Sequence, residues 1–131
     1  IAGMRRADGS GFADSRRVML EEHGRTATLF SQRDAATTNT TIGTVITNGK
    51  FDKAHMKKIA AMASNGIVRT ICPVNTTADG DSMYAMSVGE IHAEVSLTGT
   101  MAAYVVEQAV RRAVRTATSS YGVPAMDSLP R

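Results

Sequence analysis

Residues 41–47, Thr-Ile-Gly-Thr-Val-Ile-Thr, are β-branched at every position but Gly43. Branched side chains lose rotamer freedom in a helix and pack well on a pleated surface, so this run predicts a short, largely buried strand. The Asn48-Gly49 dipeptide after it predicts a turn. Asp52 then stands where a helix N-cap is expected. Met56, Ile59, Ala60, Ala63 and Ile67 recur on one helical face, predicting a helix over roughly 53–68. Lys53, Lys57 and Lys58 lie off that face, toward solvent.

The remaining elements are read the same way. Residues 67–74 predict a second strand ending at Pro73, residues 75–81 a loop, and residues 82–88 a third strand. Residues 89–99 show no clear period. Thr98 or Thr100 is a candidate cap for a long helix to about 118, with an apolar stripe through Met101, Ala102, Val105, Val106, Ala109 and Ala113. Within residues 1–39, 4–17 are charged and Gly-rich, 18–30 hold one or two short apolar patches, and 23–39 read as exposed and mobile. The order strand, helix, strand, strand, helix, without an internal repeat, fits an α+β or a layered α/β sandwich.

Composition narrows the function classes. The 131 residues make one domain at most. Of these, 43% are hydrophobic and only six are aromatic, so the core must be aliphatic and Met-rich. Fifteen basic and 12 acidic residues leave a net charge of +3, with no aromatic interleaving, so nucleic acid is not an expected partner. No apolar run approaches the ~20 residues of a membrane span, so no membrane partner is expected either. Cys72 is the only cysteine, which fits a reducing, cytoplasmic location; flanked by Ile71 and Pro73, it reads as a packed small residue. The N-terminus lacks a signal peptide's apolar region and begins with Ile, so an upstream portion is expected.

Several constellations fail on chemistry. His23, His55 and His92 have no metal-ligand spacing. Loops from Asp8 and Asp79 resemble calcium loops, but place Phe12 or Met83 where an oxygen ligand is needed. The Gly9-Ser10-Gly11 triplet lacks the rest of a dinucleotide site. The sequons at Asn39 and Asn75 would matter only in a secreted eukaryotic protein. No metal or organic cofactor is expected.

Two features remain. At the Asn39–Thr40 bond a polar segment gives way to the predicted strand. A threonine hydroxyl is a poor nucleophile alone. If the bond before it is cut, the freed α-amine, with a pKa near 8, can serve as its base. The second feature is Asp79-Gly80-Asp81. Carboxylates two residues apart in extended backbone point the same way and could together hold an ammonium and move a proton.

Residues 39–90, with Asn39-Thr40-Thr41-Ile42, a strand ending Thr47-Asn48, a Lys-rich helix, Arg69-Thr70-Ile71-Cys72-Pro73-Val74 and Asp79-Gly80-Asp81 before a strand, resemble self-processing N-terminal-nucleophile hydrolases of the L-aminopeptidase/D-esterase family. That family includes β-peptidyl aminopeptidases and nylon-oligomer (6-aminohexanoate oligomer) hydrolases. The resemblance implies an αββα four-layer sandwich and a precursor cut between Asn39 and Thr40. Residues 1–39 would end the larger-subunit segment and its processing linker, and 40–131 would form the small catalytic subunit. Thr40 would be the nucleophile, with Asp79 and Asp81 orienting its hydroxyl and amine. β-Aminopeptidases carry serine and glutamate at these places, so the Asp-Gly-Asp form leans toward the nylon-oligomer branch.

The resemblance further implies that a larger upstream segment, missing here or a separate chain, completes the fold and supplies an oxyanion-hole asparagine and a lysine. Such αβ units commonly assemble into homo-oligomers, and the substrate would be a peptide or small-molecule amide or ester. Two rivals accompany this reading. One is acyl transfer of the ornithine-acetyltransferase type, whose usual Ala-Thr-Met-Leu context is absent. The other is a non-catalytic assembly subunit, which retention of Thr40, Asp79 and Asp81 together argues against.

Overall fold

In a computed structural model of the chain, residues 3, 6, 8–21, 40–77 and 79–128 are described. The predicted exposed segment 23–39, with His23 and Asn39, lies outside them. Two compact units are present, Thr38–Val110 and residues 1–37 with 111–131.

In the first unit the β-branched run forms β1, Ile42–Gly49. Asp52 is extended at φ −77° and ψ 175°, and its carboxylate accepts the His55 N–H at 2.8 Å. This caps α2, Lys53–Val68, with the bounds predicted from its apolar face. (The seven-residue helix α1, Ser15–Glu21, belongs to the other unit.) Met56, Ile59, Ala63 and Ile67 are buried along that face, and Ala60 is half-buried. The Arg69 N–H donates to the carbonyls of Asn65 and Ile67 and closes the last turn.

Residues 67–74 do not form the predicted second strand. Ile67 and Val68 complete α2, and the chain turns through 69–73 with a cis Cys72–Pro73 bond. Cys72, expected to be packed, is therefore exposed. The strand predicted over 82–88 is present and longer: β2 runs Ser82–Ile91.

β1 and β2 pair in parallel, with Ile42 opposite Ser82, Thr44 opposite Tyr84 and Ile46 opposite Met86. The predicted Asn48-Gly49 turn is instead the end of β1. The register shifts between Thr47 and Gly49, and Gly49 pairs with Ile91. The Ser87 hydroxyl donates to the Gly49 carbonyl at 2.6 Å, and Lys50 N–H donates to the Ile91 carbonyl at 2.8 Å.

The long helix α3, Val95–Thr116, starts earlier than Thr98 or Thr100 would set it. The Glu94 carboxylate accepts the N–H groups of Ser96 at 2.8 Å and Leu97 at 2.6 Å, satisfying donors that the first helical turn leaves open. Those contacts hold the Glu94 carboxyl below its ordinary pKa, as the His55 N–H does for Asp52.

The core of this unit joins Met56, Ile59, Ala63 and Ala102, flanked by half-buried Val45, Phe51, Met83, Ala85, Val95 and Val106. It is aliphatic and Met-containing, as the scarcity of aromatics requires. α2 and α3 approach closely at Gly66, where a Cβ would press on the Ala103 carbonyl and stand 2.8 Å from Glu107 N and Val106 Cβ. The predicted stripe on α3 divides: Ala102 and Ala103 are buried, whereas Met101 and Val105 are exposed.

Alternation along the strands places Val45, Met83 and Ala85 on the core side. Ile42, Ile46, Tyr84, Met86 and Val88 stand on the opposite face and are each at least half exposed. Strands this hydrophobic are ordinarily covered on both faces. Here, among the described residues of this unit, none covers that face.

In the second unit Asp14 caps α1, Ser15–Glu21, accepting Arg17 N–H at 3.1 Å. Residues 120–123 close a tight turn with Tyr121 and Gly122 at positive φ, and Ser119 Oγ accepts the Ala125 N–H at 2.8 Å. A short 3₁₀ turn follows at Met126–Ser128.

Candidate active site

A parallel pair puts the segments that precede its two strands at the same end of the sheet. Thr40-Thr41 leads into β1, and Asp79-Gly80-Asp81 leads into β2. The register that sets Ile42 opposite Ser82 therefore brings together two motifs forty residues apart.

Two hydrogen bonds join them. The Thr41 N–H donates to Asp81 Oδ1 at 2.7 Å, and the Ser82 N–H donates to the Thr41 carbonyl at 2.9 Å. An amide-to-carboxylate bond of that length is charge-assisted and stronger than a neutral one. The backbone of residue 41 is thus held from both sides, which fixes the position from which Thr40 projects. Thr40 itself is exposed. Its side chain lies over Gly80: a Cβ built there would stand 2.8 Å from Thr40 Oγ1, 3.5 Å from Cγ2 and 3.7 Å from Cβ.

Asp79 takes part differently. Its Oδ2 accepts the Thr76 N–H at 2.7 Å, and its own N–H donates to the Thr76 carbonyl at 3.1 Å. This reciprocal pair shapes the turn that delivers Gly80 and Asp81 to the Thr40 end of β1.

Of the residues singled out from sequence, Thr40 and Asp81 flank one another at this end, and Asp79 braces the loop behind them. Asn39 lies outside the described residues. Sequence reasoning missed two participants. Thr41 appeared only as part of the predicted strand and the Asn39-Thr40-Thr41-Ile42 motif, but its backbone N–H is the anchor on Asp81. Gly80 appeared only as a spacer, but its bare Cα receives the Thr40 side chain. Parallel pairing of the strands that begin at Ile42 and Ser82 would have pointed to both.

Elsewhere in the unit, Ile46, Thr47, Leu97, Met101 and Val105 line an open apolar groove of about 400 Å³ between β1 and α3. His55 and His92 are exposed. Among the described residues no group of three or more His, Cys, Asp or Glu side chains is placed to hold a metal ion, and no helix is long and apolar enough to cross a membrane.

Residues 12–126 match the family model of peptidase family S58. An uncharacterized aminopeptidase of Mycobacterium leprae is 40% identical over 55 residues, 42% of this chain and 15% of that protein. Uncharacterized aminopeptidases of Mycobacterium bovis and Mycobacterium tuberculosis are each 38% identical over 53 residues, 40% of this chain and 15% of theirs. The matched stretch is thus a small part of these curated relatives. No solved structure matches the chain significantly.

Proposed function

Because the chain belongs to peptidase family S58, we propose that it is the catalytic-subunit portion of a self-cleaving N-terminal-threonine hydrolase acting on amide or ester bonds. The observation that carries this reading is the meeting of Thr40-Thr41 with Gly80-Asp81 at one end of the parallel pair. A hydroxyl nucleophile, an adjacent carboxylate and an exposed approach then coincide.

In the precursor, the Thr40 hydroxyl oxygen attacks the Asn39 carbonyl carbon. The peptide C–N bond breaks, an ester forms, and the hydroxyl proton passes to the departing Thr40 nitrogen. Water hydrolyses the ester, leaving Asn39 as a carboxylate and Thr40 as an N-terminus. In turnover the freed α-amine takes the Thr40 hydroxyl proton while the oxygen attacks a substrate carbonyl. The proton goes to the leaving amine or alcohol, and water releases the acyl group. Asp81 holds the Thr41 backbone beneath the nucleophile, and Asp79 keeps the second carboxylate of the motif in the same loop. Together they orient the Thr40 ammonium and hydroxyl.

The larger architecture belongs to the same proposal. The β1–β2 sheet is one part of an αββα four-layer sandwich, with 1–39 closing the larger subunit and 40–131 forming the smaller. The uncovered face bearing Ile42, Ile46, Tyr84, Met86 and Val88 is where the larger subunit packs, and the αβ units assemble into a homo-oligomer. The relatives are named aminopeptidases, which supports a peptide substrate with a free amine, and the Asp-Gly-Asp motif extends the class to ω-amino-acid oligomers.

The experiment assays purified full-length protein against L-aminoacyl anilides, a β-dipeptide and linear 6-aminohexanoate oligomers, with Thr40→Ala as control. Hydrolysis of at least one, abolished in the control, is the expected result. Undiminished hydrolysis by Thr40→Ala overturns the assignment.

A further inference from the structure

Gly80 has no backbone reason to be glycine. Its φ lies outside the positive range, unlike Gly9, Gly11 and Gly122. Any L-residue could adopt that backbone. What excludes a side chain is contact alone, and the three nearest atoms to a Cβ there are Oγ1, Cγ2 and Cβ of a single residue, Thr40. The closest, at 2.8 Å, is the hydroxyl oxygen itself; real Cβ atoms essentially never come so near.

We infer that Gly80 is a positioning residue whose missing Cβ seats the Thr40 hydroxyl. The inference rests on Thr40 being the nucleophile. The short hydroxyl arm, on an exposed residue, yields by rotating about χ1, whereas the backbone on either side is pinned through Thr41 and Asp81. A methyl at position 80 would therefore displace the oxygen without dismantling the loop. Displacement of a reacting atom by about 1 Å costs on the order of 10²-fold in rate. The defect is consequently kinetic, with folding nearly intact. A glycine needed only to shape the turn would behave the other way, losing stability first.

The test is Gly80→Ala in the full-length protein, read three ways. Self-cleavage is followed by intact mass, Tm by calorimetry, and the Thr40 χ1 rotamer by three-bond couplings to its methyl carbon. The expected result is self-cleavage slowed about 10²-fold or more, a Tm within a few degrees of wild type, and a changed Thr40 rotamer. Wild-type cleavage rate, or an unchanged rotamer, overturns the inference. If Gly80→Ala fails to fold, the Thr40→Ala/Gly80→Ala double variant decides. That variant removes the clashing oxygen and methyl, so its folding supports the seat and its failure to fold overturns it. A wild-type chain that is never cut refutes the hydrolase reading itself. A cut wild type with an indifferent Gly80→Ala refutes only the role of Gly80.

Discussion

The Thr41 N–H and the Asp81 carboxylate, 2.7 Å apart across the open end of a parallel strand pair, tie residues forty positions apart into one site. The bond has a backbone donor and a charged acceptor, so substitution at Asp81 separates two contributions. Asp81→Asn keeps an oxygen acceptor and removes the charge; Asp81→Ala removes both. Self-cleavage should slow about 10²-fold or more in Asp81→Asn, the scale of a misplaced nucleophile, and further in Asp81→Ala. The rate is read by intact mass, with circular dichroism to show that each variant is folded. A wild-type rate in Asp81→Asn would reduce Asp81 to a turn residue.

Asp79 separates from Asp81 by what it touches. Its Oδ2 is engaged with the Thr76 N–H, so Asp79→Ala should loosen the 76–81 loop as well as slow cleavage. Limited proteolysis should find new cuts in that loop in Asp79→Ala and none in Asp81→Asn. Equal protease resistance in the two would remove the bracing role.

These relationships were unequally legible in the sequence. β1 and α2 announced themselves because their signals are local: branched residues, a capping aspartate and a single apolar face. The false strand at 67–74 arose because Ile67 and Val68 suit a strand as well as a helix end, and only the buried series Met56, Ile59, Ala63 claims them for α2. Thr98 and Thr100 looked like caps, but their hydroxyls donate to the carbonyls of Glu94 and Ser96 from inside α3, a habit of mid-helix threonines. The Asn48-Gly49 pair reads as a turn until Ser87 and Ile91 supply its long-range partners. At the site, Thr40, Asp79 and Asp81 could be named from the family resemblance. Their division of labour could not, because it depends on the strand register.

The carboxylates that cap α2 and α3, Asp52 and Glu94, make stability depend on pH. Backbone N–H bonds, from His55 to Asp52 and from Ser96 and Leu97 to Glu94, depress each carboxyl in the folded state. The unfolded state then binds protons more readily, so stability rises with pH through the carboxylate range. The contribution is whole above the unfolded pKa, about 4, and is lost as pH falls through the depressed folded value. Glu94→Gln should lower Tm at pH 7, and the difference from wild type should shrink toward pH 3. A difference that stays constant with pH would contradict this.

The α2–α3 contact at Gly66 predicts a cost from the smallest addition. Alanine gains up to about 1 kcal/mol in helix propensity over glycine. Against that, overpacking a fitted contact costs typically about 1–3 kcal/mol. Here the obstacles include the Ala103 carbonyl and the Glu107 nitrogen, backbone atoms that cannot rotate away. Overpacking should win, and denaturant unfolding should show Gly66→Ala destabilised.

The uncovered sheet face bears on how much chain is needed to fold. With Ile42, Ile46, Tyr84, Met86 and Val88 open on one side and Leu97, Met101 and Val105 open along α3, residues 40–131 expressed alone should be insoluble or molten. Near-UV circular dichroism and gel filtration provide the check. A monomeric product that unfolds cooperatively would show that this piece is complete and would remove the case for a covering larger subunit.

The most direct test of the central claim is intact mass with N-terminal sequencing of the purified full-length protein. Self-cleavage predicts two fragments meeting at the Asn39–Thr40 bond, the smaller beginning at Thr40. It also predicts that Thr40→Ala leaves the chain whole, whereas Thr41→Ala is still cut. A single uncut wild-type chain under all conditions, or a small fragment that begins at Thr41, would contradict it.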